Sequence, residues 1–239
     1  MDSQQLTFGR RSALALAALV VVAVPFAIVL ILVASSWGPL RRLDNAIGSS
    51  THRFAVEHAG FTGAMRVITF AGSTAAWTVV LTGVVCWLLY RRLHRLALFV
   101  VVTAVGSALL NNAIKLAVHR VRPHFDDPLA TAIGKSFPSG HTQATLVGYT
   151  ILLLVFLPVF PRRTRPFAIA VAAVIVMLVG FSRIALGVHY FSDVVGALLI
   201  GTAWVLAMTG AFSAGRREVG RPPVEVTDGL EPESRERLT

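Results

Sequence analysis

Residues 136–160 read SFPSGHTQATLVGYTILLLVFLPVF. From His141 to Phe160 there is no Asp, Glu, Lys or Arg, and a run of about 20 uncharged residues is long enough for a helix to cross the hydrocarbon core of a bilayer. Ahead of it stand Pro138, Ser139 and Gly140, which disfavour helix interiors, and then the titratable ring of His141. The pattern places a helix start at the membrane edge. Serine is a preferred N-cap, and the free N–H groups and positive dipole end of a helix N-terminus hold anions, phosphate above all. Gly140 lets a ligand approach the backbone and Pro138 fixes the direction of entry. A capped helix with an interfacial histidine also accounts for these four residues, so the rest of the chain has to decide.

Composition extends the membrane reading to the whole chain. Of 239 residues, 55% are hydrophobic and 14% charged, against about 25% charged in soluble domains. The mean hydropathy is +0.69. There is too little polar surface to coat a soluble domain of this length, which predicts one helical domain solvated by lipid. The net charge of +10 comes mainly from arginines in short clusters between apolar runs. That is a topology signal, and no basic stripe interleaved with aromatics points to nucleic acid. The single cysteine, Cys86, excludes an internal disulfide and a CxxC metal or redox motif.

Apolar segments near 13–36, 67–90, 96–118, 141–160, 167–187 and 190–213 predict an all-α, polytopic six-helix transmembrane bundle, with a domain over residues 13–213. The first follows GRRSALALAAL, which is similar to the start of a twin-arginine export signal. Its apolar stretch exceeds the roughly 7–15 residues of a signal core, so it reads as a retained helix. Arg10, Arg11, Arg91, Arg92, Arg95, Arg162, Arg163, Arg165, Arg216 and Arg217 share one side if the chain alternates six times. This predicts cytoplasmic termini, with residues 1–12 inside. Arg41, Arg42, Arg53, Arg66, Arg120, Arg122, Lys135 and Arg183 fall opposite, and Arg41 and Arg42 count against that orientation. Residues 38–65 mix charge with Leu, Ile, Phe and Val, the pattern of a short interfacial helix between the first two spans; a plain loop is the alternative. Residues 214–239 are polar and rich in Pro and Glu, which predicts a disordered cytoplasmic tail.

Polar residues inside apolar helices are costly and mark function. Asn111, Asn112 and Lys115 lie near the end of the third segment. Asn111 and Lys115 share a face at i,i+4, and Arg122 follows two turns on before Pro123 ends the helix. Lys115 taken alone also fits a lysine snorkelling to the headgroups. In FSRIALGVHYFSDV, residues 181–194, His189 and Asp193 are four apart. A carboxylate there can fix the tautomer of the imidazole and leave its other nitrogen free to attack, although a purely structural hydrogen bond has the same spacing. Arg183 supplies a planar fork for phosphate oxygens. The segment map brings Lys115, Arg122, Ser139, Gly140, His141, Arg183, His189 and Asp193 to one membrane face. Three cations, a helix N-terminus and two histidines make a site for a dianionic group with a nucleophile and an acid.

In pattern form these residues are K-x6-R-P (Lys115, Arg122, Pro123), P-S-G-H (Pro138 to His141) and S-R-x5-H-x3-D (Ser182, Arg183, His189, Asp193). The set resembles the type-2 phosphatidic acid phosphatase superfamily, in its membrane-bound branch, over residues 115–193. The resemblance implies that His189 attacks phosphorus and becomes a phosphohistidine, with Asp193 orienting it. It implies that His141 protonates the leaving oxygen and then activates water, and that Lys115, Arg122, Arg183, Ser139 and the Gly140 N–H bind the phosphoryl oxygens. It also implies that no metal or other cofactor is needed. Asp126 and Asp127 are the nearest candidate metal ligands, and adjacent loop carboxylates project differently. A site at the outer interface is reached through lipid, so the expected substrate is a polyprenyl diphosphate, phosphatidylglycerol phosphate or phosphatidic acid in the plasma membrane. A lipid phosphotransferase and a catalytically silent lipid-binding or transport protein are the rival readings.

Overall fold

The computed structural model describes the backbone of residues 3–218 and 228–239, and the side chains of 17–216 and 228–239 within it. Among the described residues every regular element is helical. The order is α1 (Ser3–Ala34), α2 (Gly38–Glu57), α3 (Ala59–Ala71), α4 (Thr74–Tyr90), α5 (His94–Val118), α6 (Gly140–Phe156), α7 (Arg165–Ala185) and α8 (Phe191–Glu218), followed by the single turn α9 (Arg235–Leu238). Among the described residues five stretches are long and apolar enough to cross a membrane: Ala17–Ala34, Ala59–Tyr90, His94–Val118, Arg165–Ala185 and Phe191–Arg216. The helix α6 is apolar but only 17 residues long. It ends at Phe156, ahead of the predicted boundary at 160: Leu157 keeps helical geometry, but Pro158 has no N–H to give to Leu154 O, which accepts from the Leu230 N–H instead.

The expected interfacial segment 38–65 is not one helix. α2 stops at Glu57, and His58 leaves helical geometry. The carbonyls released at this break are taken by side chains, since His58 Nδ1 bonds Phe54 O at 2.8 Å and Thr62 Oγ1 donates to Ala55 O at 2.5 Å. The remainder, α3, joins α4 across a second break at Gly72 and Ser73. Ser73 caps α4 by accepting from the Ala76 N–H at 3.1 Å.

The helix α6 is the hub, packed against α4, α5, α7 and α8. Apolar side chains gain little by leaving lipid for protein, so close approach at small residues carries much of the helix packing. At Gly148 an added Cβ would stand 2.2 Å from Trp77 Cε3. The indole cannot swing away freely, because its Nε1–H donates to Thr145 Oγ1 at 3.3 Å and that hydroxyl donates to Gly72 O at 3.2 Å. Gly148→Ala must therefore push α4 from α6. It is expected to cost about 1–3 kcal/mol and to lower the thermal midpoint in detergent; an unchanged midpoint would refute this contact.

The tail differs from expectation. α8 continues to Glu218, beyond the predicted end at 213, and residues 228–239 fold back on the arginine-rich end of the bundle. The Leu230 N–H donates to Leu154 O at 2.9 Å, and Leu230 and Leu238 join the core around Leu88, Leu96 and Ile151. Asp228 meets Arg165 at 2.7 Å, Glu233 meets Arg216 at 2.6 Å and Glu231 approaches Arg95 at 3.6 Å. The composition of the tail looked like that of a solvated chain. Its acids instead match the arginines where the helices end, and two leucines supply apolar anchors. Residues 219–227 lie outside the described residues.

Candidate active site

Three segments build the site at the end of the bundle away from the tail. The first is the end of α5 with the loop that follows. α5 closes on His119, whose left-handed backbone (φ 53°) lets its N–H return to Lys115 O at 3.1 Å. The second is the start of α6. Ser139 holds the N-cap position with extended backbone, but its side chain caps nothing; Ser139 Oγ instead accepts from Thr142 Oγ1 at 2.9 Å. The Ser139 N–H donates to Asp193 O at 3.0 Å, which ties α6 to the third segment. That segment is the turn from α7 into α8. The Val188 and His189 N–H groups both return to Arg183 O at 3.2 Å. Gly187 sits at φ +73°, a conformation glycine takes without strain, and an added Cβ would also press on His52 Nδ1 and Phe125 at 2.9 Å.

The imidazole of His189 is buried and bonded at both nitrogens. Nδ1 lies 3.3 Å from Asp193 Oδ2, and Nε2 lies 3.0 Å from Arg122 Nη1. A guanidinium can only donate, so Nε2 accepts with its lone pair and Nδ1 carries the proton given to Asp193. This is the tautomer a nucleophilic Nε2 requires. Burial holds the His189 pKa down at about 4, outweighing the hydrogen bond and negative charge of Asp193 that favour its protonation. The ring is therefore neutral through the neutral pH range.

Around this ring the structure gathers the other predicted residues. Arg122 also donates to the carbonyls of Val188, Ile133, Gly134 and Lys135, so its loop is wrapped on its own side chain. Lys115 Nζ would stand 3.5 Å from a Cβ on Gly140, with Asn111 Oδ1 at 3.7 Å. An alanine there would fit, yet its methyl would fill the space between the helix start and the ammonium. Arg183 is 5% exposed; its Nη1 donates to Thr69 Oγ1 at 2.6 Å and its Nε has no hydrogen-bond partner. His141, in the first turn of α6, lies within electrostatic reach of Arg183, His189, Lys115 and Arg122. All eight predicted residues thus meet in one place. Of the two candidate metal ligands in the loop, Asp127 has its carbonyl bonded by His52 Nε2 at 3.0 Å.

The sequence pattern of the PAP2 superfamily matches residues 95–217, just over half of the chain. The chain belongs to the PAP2 superfamily. Phosphatidylglycerophosphatase B of Bacillus subtilis is 40% identical over 96 residues, which are 39% of this chain and 46% of that protein. Lipid A 1-phosphatase of Rhizobium johnstonii is 38% identical over 121 residues, 47% of this chain and 46% of that protein. The chain spans about half the length of the curated relatives it matches. A solved transmembrane PAP2-type phosphatidylglycerolphosphate phosphatase from Bacillus subtilis superposes with a TM-score of 0.72 at 27% identity, covering 81% of this chain and 95% of that one. The three sequence patterns, at residues 115–123, 138–141 and 182–193, all fall inside the matched region.

Several residues of this PAP2 site were not singled out from sequence. Gln143 donates to Ser107 O and Oγ at 3.0 and 2.8 Å, which turns its Oε1 toward Asn111 Nδ2 at 2.8 Å. The Asn111 carbonyl oxygen and Lys115 Nζ then border the same space beside Gly140. The only signal was a glutamine inside an apolar run. Asp44 and Arg120 were also missed as parts of the site: Arg120 counted only toward topology, and Asp44 sits in the polar mixture of α2.

Proposed function

We propose that this PAP2 protein is an integral-membrane lipid phosphatase that works through a phosphohistidine at His189. The observation that carries the proposal is the bonding of His189: Nδ1–H on Asp193, and the Nε2 lone pair turned toward the cations. In the first half-reaction a phosphate oxygen replaces Nε2 as acceptor for Arg122. Nε2 then bonds to phosphorus while the bond from phosphorus to the lipid-side oxygen breaks. His141 delivers a proton to that oxygen. In the second half-reaction water attacks the phosphohistidine, gives a proton to His141 and releases phosphate. Lys115, Arg122, Arg183, the Ser139 hydroxyl and the Gly140 N–H stabilise the charge spread over the three equatorial oxygens, and Asp193 balances the imidazolium.

A lipid substrate is supported by the cavity that meets these groups. It has a volume of about 370 Å³ and is walled by Trp77, Leu81 and Val85 of α4 and Val100 and Ala104 of α5, with Lys115 and Gly140 at the site. Apolar walls leading to the Lys115 ammonium and the helix start at Gly140 suit a chain with a phosphate end. The names of the curated relatives, a phosphatidylglycerophosphatase and a lipid A phosphatase, support the same class. In this reading α1, α3 with α4, α5, α6, α7 and α8 make six passes of the plasma membrane. α2 lies along the outer interface and the termini are cytoplasmic, as the arginines at 91, 92, 95, 162, 163 and 165 favour. The site then faces outward.

Purified protein in detergent with EDTA should release phosphate from at least one of phosphatidylglycerol phosphate, a polyprenyl diphosphate or phosphatidic acid. Activity that vanished in EDTA and returned with Mg²⁺ would sink the metal-free mechanism. Phosphate recovered on a second lipid would identify a phosphotransferase.

A further inference from the structure

Behind the histidine and aspartate lies a second layer of charge. Arg120 Nη1 donates to Asp193 Oδ1 at 2.6 Å and to Ser192 Oγ at 2.7 Å, while Nη2 donates to Asp44 Oδ2 at 2.7 Å. The guanidinium lies over the Tyr190 ring, 4.2 Å from its centroid. Asp44 is fully buried on α2 and fixed from the other side by the Ser192 N–H at 2.9 Å and Ser192 Oγ at 2.6 Å. Asp193 has three donors and two oxygens: Oδ1 takes Arg120, and Oδ2 takes His189 Nδ1 and the Tyr190 N–H at 2.9 Å. A buried carboxylate with only His189 beside it could rotate; this one cannot without breaking a charge-assisted bond.

We propose that Arg120 and Asp44 are positioning residues for the reaction: Arg120 turns Asp193 so that Oδ2 addresses His189, and Asp44 balances the guanidinium. The inference rests on His189 as nucleophile with Asp193 behind it. Neither Arg120 nor Asp44 contacts the reacting phosphate in this arrangement. Both act through Asp193, so their effects belong in kcat and in the ionisation of His189, with KM little changed.

The charge cluster gives opposite signs to two substitutions. Asp193, Arg120 and Asp44 sum to one negative charge beside His189. The other charged or titratable groups around the ring are Arg122 after α5, Arg183 on α7 and His141 on α6, which Lys115 of α5 also reaches, with Tyr190 under Arg120 and His52 of α2 packed on Gly187. These are common to all variants, as is the ionisation of the substrate. Arg120→Gln leaves two negative charges and favours imidazolium. The acid limb of kcat/KM then moves to higher pH, by about one unit. Asp44→Asn leaves none and moves the limb to lower pH. The double variant restores one negative charge and returns the limb to its wild-type position. Arg120→Lys keeps the charge, but one ammonium cannot span both carboxylates in the geometry of the fork; kcat falls by roughly tenfold with the limb and KM in place.

The test is the pH profile of phosphate release from phosphatidylglycerol phosphate in detergent micelles for the wild type, these four variants and His189→Ala. Limbs displaced in opposite directions, with a restored double variant, support the relay. Limbs that superimpose or move together overturn it, as does Arg120→Lys at wild-type kcat. The last comparison, together with the double variant, decides the matter if either single neutralisation fails to fold, because both keep the net charge of the cluster. An active His189→Ala would instead remove the reading of the nucleophile on which the relay depends.

Discussion

Replacing His189 with alanine is expected to reduce phosphate release by at least about 10⁴-fold, the scale seen when a catalytic nucleophile is removed. The expectation follows from the geometry of one ring. Its Nε2 carries a lone pair because Arg122 can only donate to it, and its Nδ1–H is held by Asp193. No second imidazole is bonded in this way: His141 has no carboxylate partner among the described hydrogen bonds and ion pairs, and His52 bonds a loop carbonyl. The fold should survive the change. Arg122 keeps the Val188 carbonyl at 2.8 Å, and Asp193 keeps Arg120 and the Tyr190 N–H. An unchanged elution profile in detergent beside absent turnover is the expected pair of results. Protein mixed with ³²P-labelled lipid phosphate and quenched with denaturant should carry an acid-labile label in the wild type and none in His189→Ala. Turnover within tenfold of wild type, or label retained in the variant, would remove His189 from the nucleophile's role.

How much of this was legible in the sequence depends on the range of the interaction. The helical class and the membrane setting came from uncharged runs such as His141 to Phe160, because hydropathy sums over many residues and tolerates local exceptions. The convergence of Lys115, His141, Arg183 and His189 followed from counting helix ends, since alternating spans bring odd ends and even starts to one face. What escaped depended on pairing between distant segments. Asp44 and Arg120 are 76 residues apart, and nothing in RRLDN marks its aspartate as buried. The break at His58 was hidden because the carbonyls it frees are satisfied by nearby side chains, which no hydrophobic period records. Residues 228–239 differ from expectation for a related reason: acidic and proline-rich composition describes a solvated chain until arginines placed by other helices supply its partners. Ser139 shows the opposite error. Its N-cap position was correct, yet its Oγ caps no backbone group and accepts from Thr142, and its N–H is spent on Asp193 O, so the donor it keeps for the proposed anion site is its own O–H.

The second large effect is expected at His141, and its size should depend on the leaving group. A general acid contributes about 10²–10⁴-fold when the departing oxygen is a poor leaving group, as it is in a lipid phosphomonoester. His141→Ala should lose that factor on phosphatidylglycerol phosphate and far less on an aryl phosphate, whose oxygen departs without a proton. In the proposed mechanism the same histidine serves the second half-reaction as the base for water, and that need does not depend on what has left. With an aryl phosphate, formation of the phosphohistidine should then outrun its hydrolysis. A rapid-quench experiment should show a burst of aryl alcohol matching the enzyme concentration, followed by slow turnover, with the adduct accumulating on His189. Its position supports this double duty: His141 opens α6 beside Gly140, and the charges of Arg183, His189, Lys115 and Arg122 all reach it. Equal losses on the two substrates with no burst would mean that His141 only helps to hold the phosphate. A burst in His141→Ala that disappears in the His141→Ala/His189→Ala double variant would assign the acid and the nucleophile to these two rings in one experiment.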